Sequence, residues 1–352
     1  MVTGKGFIPS VGCPLSNKEA ENLVTNLEVT MACGPYDRMQ ALKDGIIKPE
    51  GIELRYIEIL SPPEIFARML KTNSFDVAEM SSAHYFTMKS RGDFPYIALP
   101  VFPSRLFRHG FVFINRNSGI SCPQDLAGKR IAVQEYRQSA GVWIRGILKS
   151  EYGVDFSDVN WLEGGVEAPR RPDETMDLRP SGGLKIDLIG PDRSISDLLA
   201  SGEVDAYFGA RAPNAFFESE EVVRLFADYR TEERKYFERT GIYPIMHTMI
   251  MPEEFHRENP WVAEALYKAL SASKKWALDQ MRFSGAQRYL LPWMFADLDE
   301  MDELFGGDPC PYGIEPNRKT LETAIGYLHD QGFIDHLMEV DDLFTPIVGW
   351  EE

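Results

Sequence analysis

The chain lacks any apolar run of about 18 residues, so no stretch of it reads as a membrane span. It also lacks an excess of positive charge. Lys and Arg number 37 against 54 Asp and Glu, a net charge of −17, which makes nucleic acid and anionic membrane poor partners. The cysteines Cys13, Cys33, Cys122 and Cys310 are scattered without CxxC spacing. That argues against a zinc knuckle or a disulfide scaffold and fits a reducing cytoplasm. There is no GxGxxG and no GxxxxGK[ST], so a nucleotide is not the obvious ligand. There is no HExxH, and Gln138-Ser139-Ala140-Gly141 holds only half of GxSxG. His329-Asp330 and Asp335-His336 resemble metal ligands, but their spacing on a C-terminal helical segment is weak, and no metal is expected. The N-terminus, MVTGKGFIPSVGCPLSNKEAEN, has no apolar core of signal-peptide type. Residues 1–26 read as a polar extension with a small helix capped at Ser16, and a cytoplasmic location is expected.

What is present is an ordinary globular composition, 44% hydrophobic and 26% charged. At 352 residues the chain exceeds what one core usually supports, so two lobes are expected. A weak internal repeat gives them shape. In the first half LEVTMAC (27–33), GIELRYIEIL (51–60) and FDVAEM (75–80) read as strands, with helices at 36–44 and from Ser61 onward between them. Ser61 followed by Pro62 and Glu64 predicts a capping box. In the second half KRIAVQ, LKIDLIG (184–190) and VDAYFG (204–209) read as strands, with helices over 139–150 and 194–202. FARMLKTNSFDVAEM and ISDLLASGEVDAYF match in pattern, so each half is a βαβαβ unit with a parallel sheet.

Two apolar segments, LPVFPSRLFRHGFVFIN (99–115) and GIYPIMHTMIMP (241–252), read as strands crossing between the lobes, a hinge. Long helices follow from Pro260 to about Phe283, near 284–305 and over 316–330. Residues 164–183, rich in Pro and Gly, read as a loop excursion. The lobes are then 27–106 with 250–352, and 107–249.

In open α/β sheets ligands bind beyond the carboxyl ends of the strands. Those ends carry Tyr36, Arg38, Glu79, Ser81, Ser82, Tyr136, Ser139 and Arg211. Ser139 stands where an N-cap belongs, and a strand feeding a helix N-terminus makes an anion site. A cleft rich in Arg, Ser and Tyr suits a small carboxylate.

At this point a family resemblance emerges. ACGPYDRMQAL, GIIKPEGIELRYI, PPEIFARML, FDVAEMSS, PVFPSRLFRH, EYRQSAGVWIRGIL, ERTGIYPIMHT, NPWVAEALYKA and YGIEPNRKTLE occur in order over residues 27–345, and together they resemble the 4,5-dihydroxyphthalate decarboxylase family. The chain departs from that pattern at Pro35 and at Arg137-Gln138-Ser139. The resemblance implies an α/β, two-lobed, periplasmic-binding-protein-like (type II) fold and non-oxidative loss of one carboxylate from an aromatic diacid. Such chemistry calls for a proton donor over a ring carbon, a base at the para hydroxyl and cations on the carboxylate that stays, with no organic cofactor.

His109 and His247, on the hinge segments, are the natural donors, with Glu79 as a base or a cap partner. His84 is a weaker candidate, His329 and His336 read as surface groups, and Arg145 reads as structural. Arg105 and Arg108 are candidates for carboxylate binding, Arg38 for holding a carboxylate or anchoring Asp37, and Ser139 would cap one carboxylate. The expected partner is a small aromatic dicarboxylate, acted on by a homo-oligomer. Two other readings use the same fold: a solute receptor for an aromatic carboxylate, which must be exported, and a thiamine-pyrimidine synthase, for which no lysine-bearing cofactor motif is present.

Overall fold

The structure, a computed structural model, describes residues 26–92, 94–169 and 178–347. The predicted helix at Ser16 and residues 170–177 of the predicted loop lie outside the described residues. Eleven strands are present among the described residues: β1 (Leu27–Cys33), β2 (Ile52–Glu58), β3 (Val77–Ser81), β4 (Tyr96–Arg105), β5 (Val112–Asn115), β6 (Arg130–Val133), β7 (Asn160–Glu163), β8 (Ile186–Leu188), β9 (Ala206–Phe208), β10 (Val222–Arg224) and β11 (Ile245–Pro252). They form a five-stranded sheet in the order β2-β1-β3-β11-β4 and a six-stranded sheet in the order β10-β5-β9-β6-β7-β8.

The repeat is real in space. β1 pairs in parallel with β2 and β3, and β6 pairs in parallel with β7 and β9. The predicted parallel sheets are nonetheless mixed. β11 runs antiparallel to β3 and β4, and β5 antiparallel to β9. The reason is topological: the chain leaves the first sheet through β4 and returns through β11, and a direct return reverses direction. The segment 99–115 is therefore two strands in two sheets, joined at a short turn of helix, His109–Phe111. Strands β7 and β10 were not anticipated in the sequence. At four and three residues they are too short for alternation to register.

Helix boundaries follow local chemistry. Pro62 opens the Pro62–Thr72 helix, but the Ser61 side chain makes no cap bond; Glu64 N–H is bonded to its carbonyl instead, at 3.0 Å. Ser194 caps Ile195–Ser201 by accepting from Asp197 N–H at 3.1 Å. Trp261–Arg282 places Leu266 and Leu270 against the first sheet, and among the described residues no helix is long and apolar enough to cross a membrane. The largest buried cluster draws on both sheets, including Met80 and Ala98 from one and Ile131 and Phe208 from the other. The helices Ser82–Ser90, Ser139–Tyr152 and Arg318–Asp330 meet there and join the two sheets through one apolar cluster.

Candidate active site

The middle of the short strand β3 carries Glu79, which is fully buried. Four donors serve its two oxygens: His247 Nδ1 and the Tyr36 hydroxyl on Oε1, each at 2.6 Å, and Gly34 N–H at 2.9 Å and the Cys33 thiol at 3.4 Å on Oε2. Burial alone would push this carboxyl up. The hydrogen bond and charge of His247, with Tyr36 and Gly34, outweigh it and hold Glu79 below the usual carboxylate range. Burial and the neighbouring carboxylate raise the Tyr36 hydroxyl and the Cys33 thiol, so both stay protonated as donors. Gly34 is required here. A Cβ would sit 2.8 Å from the Tyr36 ring and 3.4 Å from Glu79 Oε2.

His247 is presented by an irregularity in β11, whose pairing with β4 shifts register on both sides of it. Its side chain is 18% exposed, and the Phe66 ring stands edge-on at 5.1 Å. With Nδ1 committed to Glu79, the ring's other nitrogen has no partner among the described residues. This is the arrangement of an orienting carboxylate and a histidine with a free Nε2 for proton transfer.

Where the sheets meet, the Ser81 and Ser139 hydroxyls are 2.9 Å apart. Ser81 caps Ser82–Ser90 by accepting from His84 N–H at 3.3 Å. Ser139 accepts from Ala83 N–H at 3.1 Å. Ser139 is thus not the N-cap of its own helix, a position held by Gln138. Its hydroxyl bonds the facing helix, so Ser139 joins the two halves rather than capping its own helix. Ser82 is buried beside this contact with its hydroxyl unpartnered among the described residues. Arg137 approaches His84 Nδ1 at 2.7 Å and pairs with Glu135 at 2.6 Å, a further bond between the sheets.

Other predicted site residues are placed differently. Arg38 donates to the Pro103 carbonyl, pairs with Asp37 at 3.0 Å and lies 4.4 Å over the Tyr36 ring, so it braces Tyr36. Arg105 donates to the Tyr243 carbonyl at 2.7 Å and to Asn317 at 2.7 Å, tying the end of β4 to the returning chain. Each of these arginines spends three of its N–H groups on protein acceptors, so both brace the fold around the site. Tyr136 is turned into the second sheet, edge-on to Trp161, with the Arg145 guanidinium 3.7 Å over its ring. It lines a separate cavity of about 700 Å³ with Lys149, Tyr327 and Gln331, away from Glu79. His109 is boxed by Tyr152, Phe226 and Tyr236, its ring nitrogens unpartnered among the described residues. Burial pulls it down to about 4. The catalytic assignment of His109 is corrected for that reason: it sits in an aromatic box, not with His247. Arg211 is exposed on the loop after β9. Arg108 is buried and touches Met246 and Ala210.

Comparison with known proteins gives the family and the fold. A 4,5-dihydroxyphthalate decarboxylase from Comamonas testosteroni is 36% identical over 324 residues, covering 92% of this chain and 98% of the relative. The chain belongs to the 4,5-dihydroxyphthalate decarboxylase family. A second member, from Pseudomonas putida, is 37% identical over 194 residues, covering 55% of this chain and 74% of its own length. No family model matches the chain. Among solved structures, the periplasmic aliphatic sulphonate binding protein SsuA from Escherichia coli superposes with a TM-score of 0.51 at 12% identity, over 90% of this chain and 97% of that one, which shows the periplasmic-binding-protein-like fold.

Within this family fold, sequence reasoning missed the saturation of Glu79. Cys33 and Gly34 stand at a strand end in the ACGPYDRMQAL stretch, and that placement was the available signal. The register that sets His247 opposite Ser81 and Ser104 is a long-range pairing with no local signature.

Proposed function

We propose that this chain is a carboxy-lyase that converts 4,5-dihydroxyphthalate, or a close hydroxylated aromatic dicarboxylate, to the monoacid by ring protonation and loss of carbon dioxide. The observation that carries the reading is the Glu79–His247 pair at 2.6 Å, with the second ring nitrogen of His247 unbonded among the described residues. Glu79 accepts from Nδ1 and so fixes the tautomer and orientation of the ring. Nε2–H then delivers its proton to the ring carbon bearing the departing carboxylate, assisted by electron push from the para hydroxyl. The carbon–carbon bond breaks, its electron pair restores aromaticity, carbon dioxide leaves, and His247 takes a proton from solvent. Tyr36, Cys33 and Gly34 act by holding Glu79 ionised and in place.

In this reading the lobes are 27–106 with 250–352, and 107–249, and the substrate lies between them. Free thiols at Cys33, Cys122 and Cys310 accord with a cytoplasmic protein. Exposed Leu290, Leu291 and Trp293 accord with a homo-oligomer.

The test is incubation with 4,5-dihydroxyphthalate in deuterated water. Equal yields of carbon dioxide and 3,4-dihydroxybenzoate are expected, with one deuterium at the vacated ring position. Tight binding of the diacid with no carbon dioxide would sink the enzyme and favour a receptor.

A further inference from the structure

Arg108 lies just beyond β4, where the chain leaves the first sheet, and is 5% exposed. Its Nε approaches the Met246 sulfur at 3.1 Å and its Nη1 the Ala210 carbonyl at 3.4 Å. Its guanidinium also lies 5.2 Å from the centre of the Phe111 ring, and a thioether, one long carbonyl contact and a ring face are weak partners for a full charge. No carboxylate lies within ion-pair distance of it among the described residues. The acid whose field reaches it, Glu233, accepts from Gly110 N–H at 3.0 Å and is raised by burial to about 7, so it carries only part of a charge at neutral pH.

Tyr207 in β9 is fully buried, and its hydroxyl has no partner among the described residues. An unmet hydroxyl in a native core calls for an explanation. The ring runs up to the end of the strand: a Cβ at Gly209 would sit 2.6 Å from the hydroxyl oxygen and 2.4 Å from the ring. Gly209 therefore leaves the hydroxyl its place. The next residue, Ala210, is the one whose carbonyl meets Arg108. Met246, the other contact of Arg108, precedes His247 in β11. A buried cation without an acid and a buried hydroxyl without a partner thus meet around Gly209 and Ala210 at the end of β9, and the cation also touches Met246, the residue before the proposed proton donor.

The geometry points to a carboxylate pocket in which Arg108 and Tyr207 bind the carboxylate that remains on the ring while His247 protonates the neighbouring carbon. This rests on the decarboxylase reading and deepens it. In a phthalate the two carboxylates sit on adjacent carbons, so clamping one positions the other. The clamp also leaves the departing group unpaired, as it should be if its ground state is not to be stabilised.

The experiment is calorimetric titration of the full chain with 3,4-dihydroxybenzoate, which keeps the retained carboxylate, and with catechol, which has none. The wild type should prefer the acid. Tyr207→Phe should shrink that preference about tenfold, the loss of one charge-assisted hydrogen bond, and melt at or above the wild-type temperature. Arg108→Gln should shrink it further, and Arg108→Lys should restore only part. A wild type without the preference, or a Tyr207→Phe protein that retains it in full, overturns the pocket. If Arg108→Gln fails to fold, Tyr207→Phe decides alone. Carbon dioxide release from 4,5-dihydroxyphthalate by the wild type separates the two ideas. Release with an unchanged preference in the variants rejects the pocket and keeps the enzyme. No release with the expected loss keeps the pocket and rejects the enzyme.

Discussion

The third strand of each repeat begins alike and ends differently. Before β3, Asp76 accepts from Thr30 N–H at 2.8 Å and from the Thr30 hydroxyl at 2.7 Å. Before β9, Asp205 accepts from Arg130 N–H at 2.8 Å and from its guanidinium. Each aspartate ties the third strand to the first of its sheet, a structural device kept in both copies. The carboxyl ends diverge. At β3 a buried carboxylate has every oxygen served, and the histidine it orients is left with a free nitrogen. At β9 a buried hydroxyl and a buried guanidinium stand nearly unserved. The amino ends tie strands within each sheet. In the proposed reading the carboxyl ends take the ligand, one giving a proton and the other receiving an anion.

The largest expected effect tests the saturated end. His247→Ala should lower kcat by about 10²–10⁴-fold while binding of the diacid persists, since a positioned general acid contributes on that scale. Steady-state rates beside calorimetric affinity check this. Near-normal kcat would move the donor elsewhere. Tyr36→Phe removes one of the donors to Glu79 and should cost about tenfold in kcat, with an altered pH–rate profile and little change in KM. A change confined to KM would make Tyr36 a substrate contact instead.

The shared amino ends should respond alike. Asp76→Ala and Asp205→Ala should each lose about 1–3 kcal/mol in urea unfolding, with kcat per folded molecule retained. A large difference between them would break the equivalence of the two repeats.

The smallest effects concern two groups flanking Arg108. Glu233, raised by burial to about 7, loses its proton more readily when unfolded, so it makes stability fall as pH rises from its unfolded value toward about 7. His109, lowered by burial to about 4, gives stability that is present above its unfolded value and lost as pH falls toward about 4. Glu233→Gln should remove the first slope, worth at most about 3 kcal/mol, and His109→Phe the second. Melting temperatures across this range check both. His109→Phe should also turn over normally, in contrast to His247→Ala.

Much of this was legible in the chain. Apolar runs with β-branched residues marked β1, β2, β3, β6 and β9, and Pro62, Ser194 and Pro260 marked helix starts. Alternation and caps are local, so a reader of residues finds them. Glu79 and His247 were legible as candidates, one at a strand end and one on a returning strand. His109 was equally plausible by position, and only its surroundings in space separate the two. The aromatic rings around it come from residues 152, 226 and 236, distant in sequence. Arginines at strand ends read as ligands for carboxylate, yet Arg38 and Arg105 are consumed by carbonyls that sequence does not place near them.

The sequence by itself determined the α/β class, most of the strand and helix segments of the two units, and the family. Each of these follows from the order of residues over short spans. The tertiary structure alone decided that the sheets are mixed, that His247 and not His109 meets Glu79, and that Arg108 and Tyr207 share one strand end. Those are pairings across 168 positions for Glu79 with His247 and 102 for Arg108 with Ala210. Burial and hydrogen-bond partners are properties of such pairings, and they decide which buried polar groups are satisfied and which remain open to a ligand.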